Sequence, residues 1–454
     1  MIVARAFAQT VFHYFPEWND WLDELPDSRD PDVTIYETRL LVWWGLWLYL
    51  AQLGSRRQLD FPFTAWGTHV LANLNRLAGT EHTTRPVHAT LDHFAGPVVA
   101  DDVAGLRTRL VRRLLRLRVL DPARLLGYLV LIIEGTTLLC GRRRHCPHCL
   151  TQRHQKTTVY LHQVLEAKLL GPAGVVLSVG SEFIDKAAAA ATKGKSADEV
   201  KQDCALKALS RLAPRLKQDY PQAQFVLAGD SLFFCGRTLQ ICKDQRWSYV
   251  LTFKKGRTPA VWAEFQRLLP LCPQNVLFRE WADGTRQEFR WVHQLSYTDD
   301  EGRTWQFHAL PCLETAPDGA VTQFAWATDL PVSATNVESI AQKGGRYRWK
   351  IEKEGFNRQK NSGLKLEHVS STDPEKSQSY YYLLQIAFIF TQLLERGSLL
   401  RQLVADLGKG TRAVFGSWSN SAQLLREALR YCLWPEEHFD RPTARKRRLG
   451  LDSS

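Results

Sequence analysis

The stretch VLIIEGTTLLC (130–140) is an apolar run that stops abruptly at a carboxylate, Glu134, followed by a Gly-Thr-Thr turn. A second run, AQFVLAGDSLFFCG (223–236), stops in the same way at Asp230. Runs of this kind fill sheet interiors, so both acids fall where a strand leaves the core. If the two strands share a sheet, the carboxylates come close, and like charges held close need a shared proton or a divalent cation. Hard oxygen ligands with open positions suit Mg²⁺ or Mn²⁺, the metals of phosphoryl transfer. Two such ions about 4 Å apart require a third acid. The segment GGRYRWKIEKEGFNRQKNSGLKLEH (344–368) supplies the candidate. On a helix, Trp349 and Phe356 fall on one face with Glu352 beside that apolar stripe, while Glu354 points away. Arg348 lies one turn before Glu352 on the same face, suitably placed for a phosphate beside a metal-bound acid. Each acid also has a structural alternative. These are strand-end capping or a salt bridge to Arg142–Arg144 for Glu134, a turn-forming role for Asp230, and an intrahelical pair with Arg348 for Glu352.

The elements that must position these acids belong to a chain of 454 residues, longer than one hydrophobic core usually serves, so two or three domains are expected. Residues 1–125 read as helical, with apolar residues at helical spacing in 33–56 and 103–120. From about 126 the pattern changes. LLGYLVLIIEG (125–135), TTVYLHQVLEAKLL (157–170) and GVVLSVGSEFI (174–184) read as successive strands, and SADEVKQDCALKALSRLAPRLKQ (196–218) as a helix. The strand ending at Asp230, a short helix and a last strand, SYVLTFKK (248–255), complete the set. Three strands, helix, strand, helix, strand is the order of a ribonuclease-H-like mixed sheet, so the expected class is α/β. The segment 256–335 reads as an antiparallel β insertion, with hairpin signals at Asp283–Gly284, Glu301–Gly302 and Asp318–Gly319. Helix resumes near Asn336 and runs past Glu352, and a long apolar helix occupies about 377–397. The expected organisation is a helical region 1–125, a core of 126–255 plus 336–397 interrupted by the insertion, and a helical C-terminal region 398–454 with a loose basic tail.

A formal net charge of +12 and an isoelectric point near 9.3 favour a polyanionic partner, nucleic acid first and an acidic membrane surface second. The basic residues cluster in RTRLVRRLLRLRVL (107–120), GRRRHC (141–146) and RPTARKRR (441–448). The first reads as an amphipathic helix whose Arg face either lies along phosphates or is merely solvated. No apolar run is long enough to span a bilayer; the nearest, RLLVWWGLWLYLAQLG (39–54), better suits a buried helix. With nine scattered cysteines and no secretory leader, a soluble protein of a reducing cytoplasm is expected.

CGRRRHCPHCLTQRH (140–154) contains a Cys-x-x-Cys pair, Cys146 and Cys149, with Cys140, His145, His148 and His154 nearby. Such a pair is half of a closed zinc site, and His154, His162 or Cys204 are candidates for the remainder. Zinc, a metal-free turn with reduced thiols, and redox chemistry are three open readings. A zinc ion here would pin the first two strands as a hairpin and take no part in catalysis.

At these residues the chain resembles the DDE transposases of bacterial insertion sequences, in the branch with a Tyr-Arg-Glu-Lys signature on the helix that bears the last acid. RYRWKIEKEGFNRQKN matches that signature in Arg348 and Glu352 at the correct spacing, with apolar Trp349, Ile351 and Phe356. LAGDSLF is similar to the second-acid motif and IIEGTT stands where the family usually has Asp-Gly-Thr, so the resemblance implies Glu134, Asp230 and Glu352 as the metal-binding catalytic acids. It covers roughly 125–395, including the Cys-Pro-His-Cys stretch, KQDCALKALSRL and WATDLPVS. It implies a ribonuclease-H-like core, two Mg²⁺ or Mn²⁺ ions, and cleavage of double-stranded DNA at element ends followed by joining to a target. It also implies Arg348 and Lys360 on flanking phosphates with Arg346 beside them, Tyr347 and Trp349 stacked on a displaced base, and a homodimer pairing two DNA ends. Three positions depart from the pattern. Gly345 holds the Tyr position, with Tyr347 nearby; Gln359 holds the Lys position, with Lys360 rotated about 100° around the helix. The first acid is Glu rather than Asp, one methylene longer. A carboxylate displaced by about 1 Å costs on the order of 10²-fold in rate, so a catalytically impaired DNA-binding derivative is an alternative, as is a metal-dependent nuclease without strand transfer.

Overall fold

The computed structural model describes residues 1–61, 67–96, 100–144, 146–154, 157–184, 204–368, 370–371, 373–405 and 414–439. The basic run 441–448, His145, and the first part of the helix expected over 196–218 lie outside the described residues, as does the side chain of His154.

The strands in chain order are β1 (Leu129–Gly141), β2 (Leu150–His154), β3 (Thr157–Leu170), β4 (Val176–Ile184), β5 (Phe225–Gly229), β6 (Ser248–Thr252), β7 (Val276–Glu280), β8 (Arg286–Arg290), β9 (Val292–Thr298), β10 (Thr304–Thr315) and β11 (Val321–Thr328). They form one mixed, open sheet of 11 strands, ordered β2-β3-β1-β5-β6-β11-β10-β8-β7, with β4 on β3 and β9 on β10. β1 runs antiparallel to β3 and parallel to β5, and β5 runs parallel to β6. Leu129 to Ile133 are fully buried because β1 is covered on both faces, as an uninterrupted apolar run requires.

Two local readings change. β1 does not end at Glu134; it continues to Gly141 along β3, and only its pairing with β5 stops at Ile132. The apolar run breaks there because one neighbour ends. The short β2, which no apolar run announces, pairs with the first part of β3. All three hairpin signals are turns: Gly284, Gly302 and Gly319 have φ of +84°, +77° and +86°, in the left-handed region that glycine tolerates. The strands they connect do not make a separate sheet, since β11 pairs antiparallel with β6 and carries the hairpins into the same sheet as the acids.

The helices in chain order are α1 (Ile2–Tyr14), α2 (Trp18–Asp23), α3 (Thr38–Leu50), α4 (Val70–Ala78), α5 (His88–Phe94) and α6 (Ala100–Arg116), then α7 (Ala205–Asp219), α8 (Gly236–Gln245) and α9 (Pro259–Leu268). The helical stretch 337–361 is α10, followed by α11 (Pro374–Arg396), α12 (Ser398–Ala405) and α13 (Trp418–Tyr431). None of the described helices is long and apolar enough to cross a membrane. α3 is buried nearly all round, with Trp44 fully buried and Trp43 packed among Phe7, Trp18 and Phe390. The two ends of the chain share this core. Phe7 packs against Trp434, and buried Asn73 donates to the carbonyls of Leu429 and Cys432 while accepting from the Trp434 amide.

Between α6, α11 and the sheet lies a buried charged network. Glu166 on β3 accepts from Ser178, Ser181 and Tyr381, and Lys168 lies 3.6 Å from it with no exposed surface on either side chain. Arg107 donates to the same two serines, at 3.3 and 2.7 Å, and lies over the Tyr382 ring. Arg107 was expected on the solvent face of a basic helix; instead it is buried, because α6 turns that side toward β4. Arg109, Arg112, Arg113 and Arg116 remain on the open side and line a shallow groove with Trp21. Removing Glu166 would strand two buried cations. Glu166→Ala is expected to cost about 3–5 kcal/mol in urea unfolding, against at most about 1 kcal/mol for Lys360→Ala, which breaks a surface pair with Glu367.

Candidate active site

Strand register decides which acids meet. β1 and β5 are neighbours with Ile132 opposite Ala228; two residues further along both strands stand Glu134 and Asp230. Parallel strands lie about 4.8 Å apart, and although Asp230 stands one residue past the end of β5, its charge acts on the Glu134 carboxyl. Asp230 also caps the turn Ser231–Phe233, accepting from the Leu232 amide at 2.9 Å, so the turn-forming role is real and uses one of its oxygens. Glu134 accepts a 2.6 Å hydrogen bond from Arg348 Nη1 on α10, both side chains being largely buried. The expected alternatives of a Glu134 pair with Arg142–Arg144 and an Arg348 pair with Glu352 are thus replaced by a pair between Glu134 and Arg348.

Glu352 is exposed and has no ion pair among the described residues. It is close enough to act on Glu134, whose carboxyl is pushed up to about 7. Burial is the main cause. The Arg348 guanidinium opposes it, and the charges of Asp230 and Glu352 add to it. The three acids are therefore gathered electrostatically, but their oxygens do not all fall within 4.8 Å of one another. Among the described residues the group that meets that distance is Cys146, Cys149 and His162.

α10 is not a regular helix. Ile340–Gly345 and Ile351–Asn357 are π-helical turns flanking a tight turn at Arg346–Arg348. Bonding from i to i+5 changes the angular phase of every later residue. This overturns the expected stripe: Phe356 and Ile351 are buried, whereas Trp349 is 54 % exposed and Tyr347 38 % exposed. Both aromatic rings face outward, with Lys350 over Tyr347 and Arg348 over Trp349. Arg346 stacks on Phe324 and pairs with Glu314 at 3.2 Å, while Lys360 pairs with Glu367 at 2.8 Å.

Two features hold this helix in place, at positions where the sequence shows only a departure from the resembled pattern. Gly344 and Gly345 let it lie flush on the sheet: a Cβ at Gly345 would come within 2.3 Å of Trp326 on β11, and one at Gly344 within 2.7 Å of Val250 on β6. A tyrosine at 345 has no room. At the other end buried Gln359 donates to Gln385, which also accepts from Lys168, and Phe356 sits under the same ammonium. A Glu-x-Lys pair inside the apolar strand VLEAKLL was the available signal, because two opposite charges on one face of a buried strand demand partners. Of the cysteine candidates, Cys204 and Cys140 are exposed, and it is His162 that the fold brings to Cys146 and Cys149.

The raised Glu134 value makes stability pH-dependent. Its ordinary value is 4.5 and its folded value about 7, so between these the native state holds a proton that the unfolded chain has lost. Stability is full below 4.5 and falls as pH rises through about 7, by on the order of 3 kcal/mol. Metal-free denaturation across this range is expected to show the slope, and Glu134→Gln to flatten it. Gly345→Ala is expected to lower stability by about 1–3 kcal/mol, with partial recovery on adding Trp326→Phe; a neutral Gly345→Ala would refute the close packing of α10.

No protein-family model matches the sequence, and no curated protein matches it significantly.

Proposed function

We propose that the chain is a DDE-type transposase that cleaves DNA and transfers strands using Glu134, Asp230 and Glu352. One observation carries the reading: β1 and β5 pair in parallel as far as Ile132 opposite Ala228, two residues before Glu134 and Asp230, and the charges of Asp230 and Glu352 both act on the Glu134 carboxyl. The strand order around them supports it. β4-β3-β1-β5-β6, antiparallel in the first three and parallel from β1 to β6, is the arrangement expected of a ribonuclease-H-like core, with the hairpin strands inserted between the second and third acids. Outward-facing Tyr347 and Trp349 beside Arg348, together with the chain's net charge of +12, suit a displaced DNA strand.

The donor set fits Mg²⁺ or Mn²⁺, since all three groups are carboxylates and their mutual repulsion is what a dication relieves. Ions bound there would supply charge neutralisation for the attacking and departing oxygens of a phosphodiester. The chain's own part is to hold three acids from distant segments on one face, with Arg348 supplying positive charge beside Glu134. On release from Glu134, Arg348 is placed to meet a phosphate.

The Arg348–Glu134 pair also favours the second reading, an impaired DNA-binding derivative, because the longer first acid is already satisfied by a guanidinium. The test uses purified full-length chain with Mn²⁺ or Mg²⁺ and plasmid carrying the DNA that flanks its gene. Cleavage to 3′-hydroxyl ends and joined products are expected, each reduced at least about 10²-fold by Asp230→Asn or Glu352→Gln. Cutting without joining identifies a nuclease. DNA binding with no cleavage, restored by Glu134→Asp, identifies the impaired derivative.

A further inference from the structure

At the far end of β3 from the buried charges, the fold gathers three soft ligands that the acids do not use. The register of β2 and β3 places Leu150 opposite Leu161, so the preceding residue, Cys149, comes opposite His162. Cys146 reaches the same point through a tight turn in which the Cys149 amide donates to the Cys146 carbonyl. Arg144 donates to the carbonyls of Cys146 and Pro147, taking up the outward-facing polar groups of that turn. The thiols are left pointing at the imidazole.

The distances have the proportions of a coordination polyhedron. Each sulfur lies 3.3 Å from His162 Nε2, and the sulfurs lie 3.9 Å apart. Around a tetrahedral zinc, with bonds of about 2.3 Å to sulfur and about 2.0–2.1 Å to nitrogen, the corresponding edges are about 3.8 Å between sulfurs and about 3.5 Å from sulfur to nitrogen. A disulfide, with sulfurs about 2.05 Å apart, would have to pull them together and would give the imidazole no role. A set of two thiols and one imidazole selects zinc over the hard cations suited to the carboxylates.

We propose that Cys146 Sγ, Cys149 Sγ and His162 Nε2, the three ligands gathered among the described residues, bind Zn²⁺ beside the cleft that Cys146, His148 and His162 line next to α11. The site is structural. His162 is four residues along β3 from Glu166, the cross-strand partner of Glu134, which puts the ion about 13 Å from that acid. What it holds is β2, an edge strand of five residues paired to β3 alone, and the Arg142–Arg144 segment that enters the turn. The proposal does not depend on the role of the three acids.

The test is metal analysis of reduced, purified full-length chain, followed by reconstitution of chelated protein with Zn²⁺ or Co²⁺. Stoichiometric zinc, thiolate-to-cobalt charge-transfer bands in the wild-type chain, and faster tryptic cutting at Arg142–Arg144 after chelation are expected. Cys149→Ser and His162→Ala should lose the metal at least about tenfold more readily, whereas Cys140→Ser should keep it. Because the cobalt spectrum is read on the wild type, a variant that misfolds does not blunt the test. Absence of zinc with no charge-transfer band on adding cobalt, or a Cys146–Cys149 disulfide in protein purified without reductant, would overturn it.

Discussion

Two carboxylates carried just past the paired segment of adjacent parallel strands repel each other, and burying one of them multiplies the cost. The pairing of β1 with β5 ends at Ile132 and Ala228, and Glu134 and Asp230 follow two residues later, close enough for their charges to interact. The protein answers with a proton or a guanidinium on Glu134 and with solvent at Glu352. Everything near the site follows from that imbalance. Arg348 must come down to the sheet, so α10 must lie close to it, and the helix that carries Arg348 also brings Glu352.

Close approach of α10 depends on what its ends are fastened to. At one end two glycines remove the side chains that would lift the helix off Val250 and Trp326. At the other, Gln359 and Phe356 meet Lys168 and Gln385 inside the protein. Lys168 in turn requires Glu166, which requires the serines of β4, Arg107 of α6 and Tyr381 of α11. The helices of the first 125 residues are thus tied to the acid-bearing helix through one buried polar network. Such a network is worth little in net stability compared with an apolar core, but it tolerates only one arrangement, since any slip leaves a charge without a partner.

The positions at which the chain differs from the pattern it resembles have physical readings in this geometry. Gly345 cannot be tyrosine while Trp326 lies beneath it, and Tyr347 presents an aromatic ring on the outer side instead. Gln359 is neutral where Lys168 from β3 already supplies an ammonium, and a second ammonium there would face the first across a dry interior. The longer side chain of Glu134 reaches Arg348 at 2.6 Å.

Features governed by local rules were legible in the sequence. The three Asp-Gly and Glu-Gly hairpins could be named because a tight turn needs a left-handed residue, and glycine declares it. The ends of the apolar runs marked Glu134 and Asp230, and the Cys-x-x-Cys spacing marked a turn with two thiols, because in each case the information lies within a few residues. What the sequence could not settle were matters decided by partners far along the chain. These include which arginine meets Glu134, that Trp349 faces outward, that Arg107 is buried, and that His162 rather than Cys204 joins the thiols. Register between strands and the phase of an irregular helix are collective properties of packing, and a one-residue slip or a single π-turn reassigns every side chain to a different face. Residue chemistry named the participants; tertiary structure alone chose who faces whom, because that choice is made by the burial of groups that are neighbours only after folding.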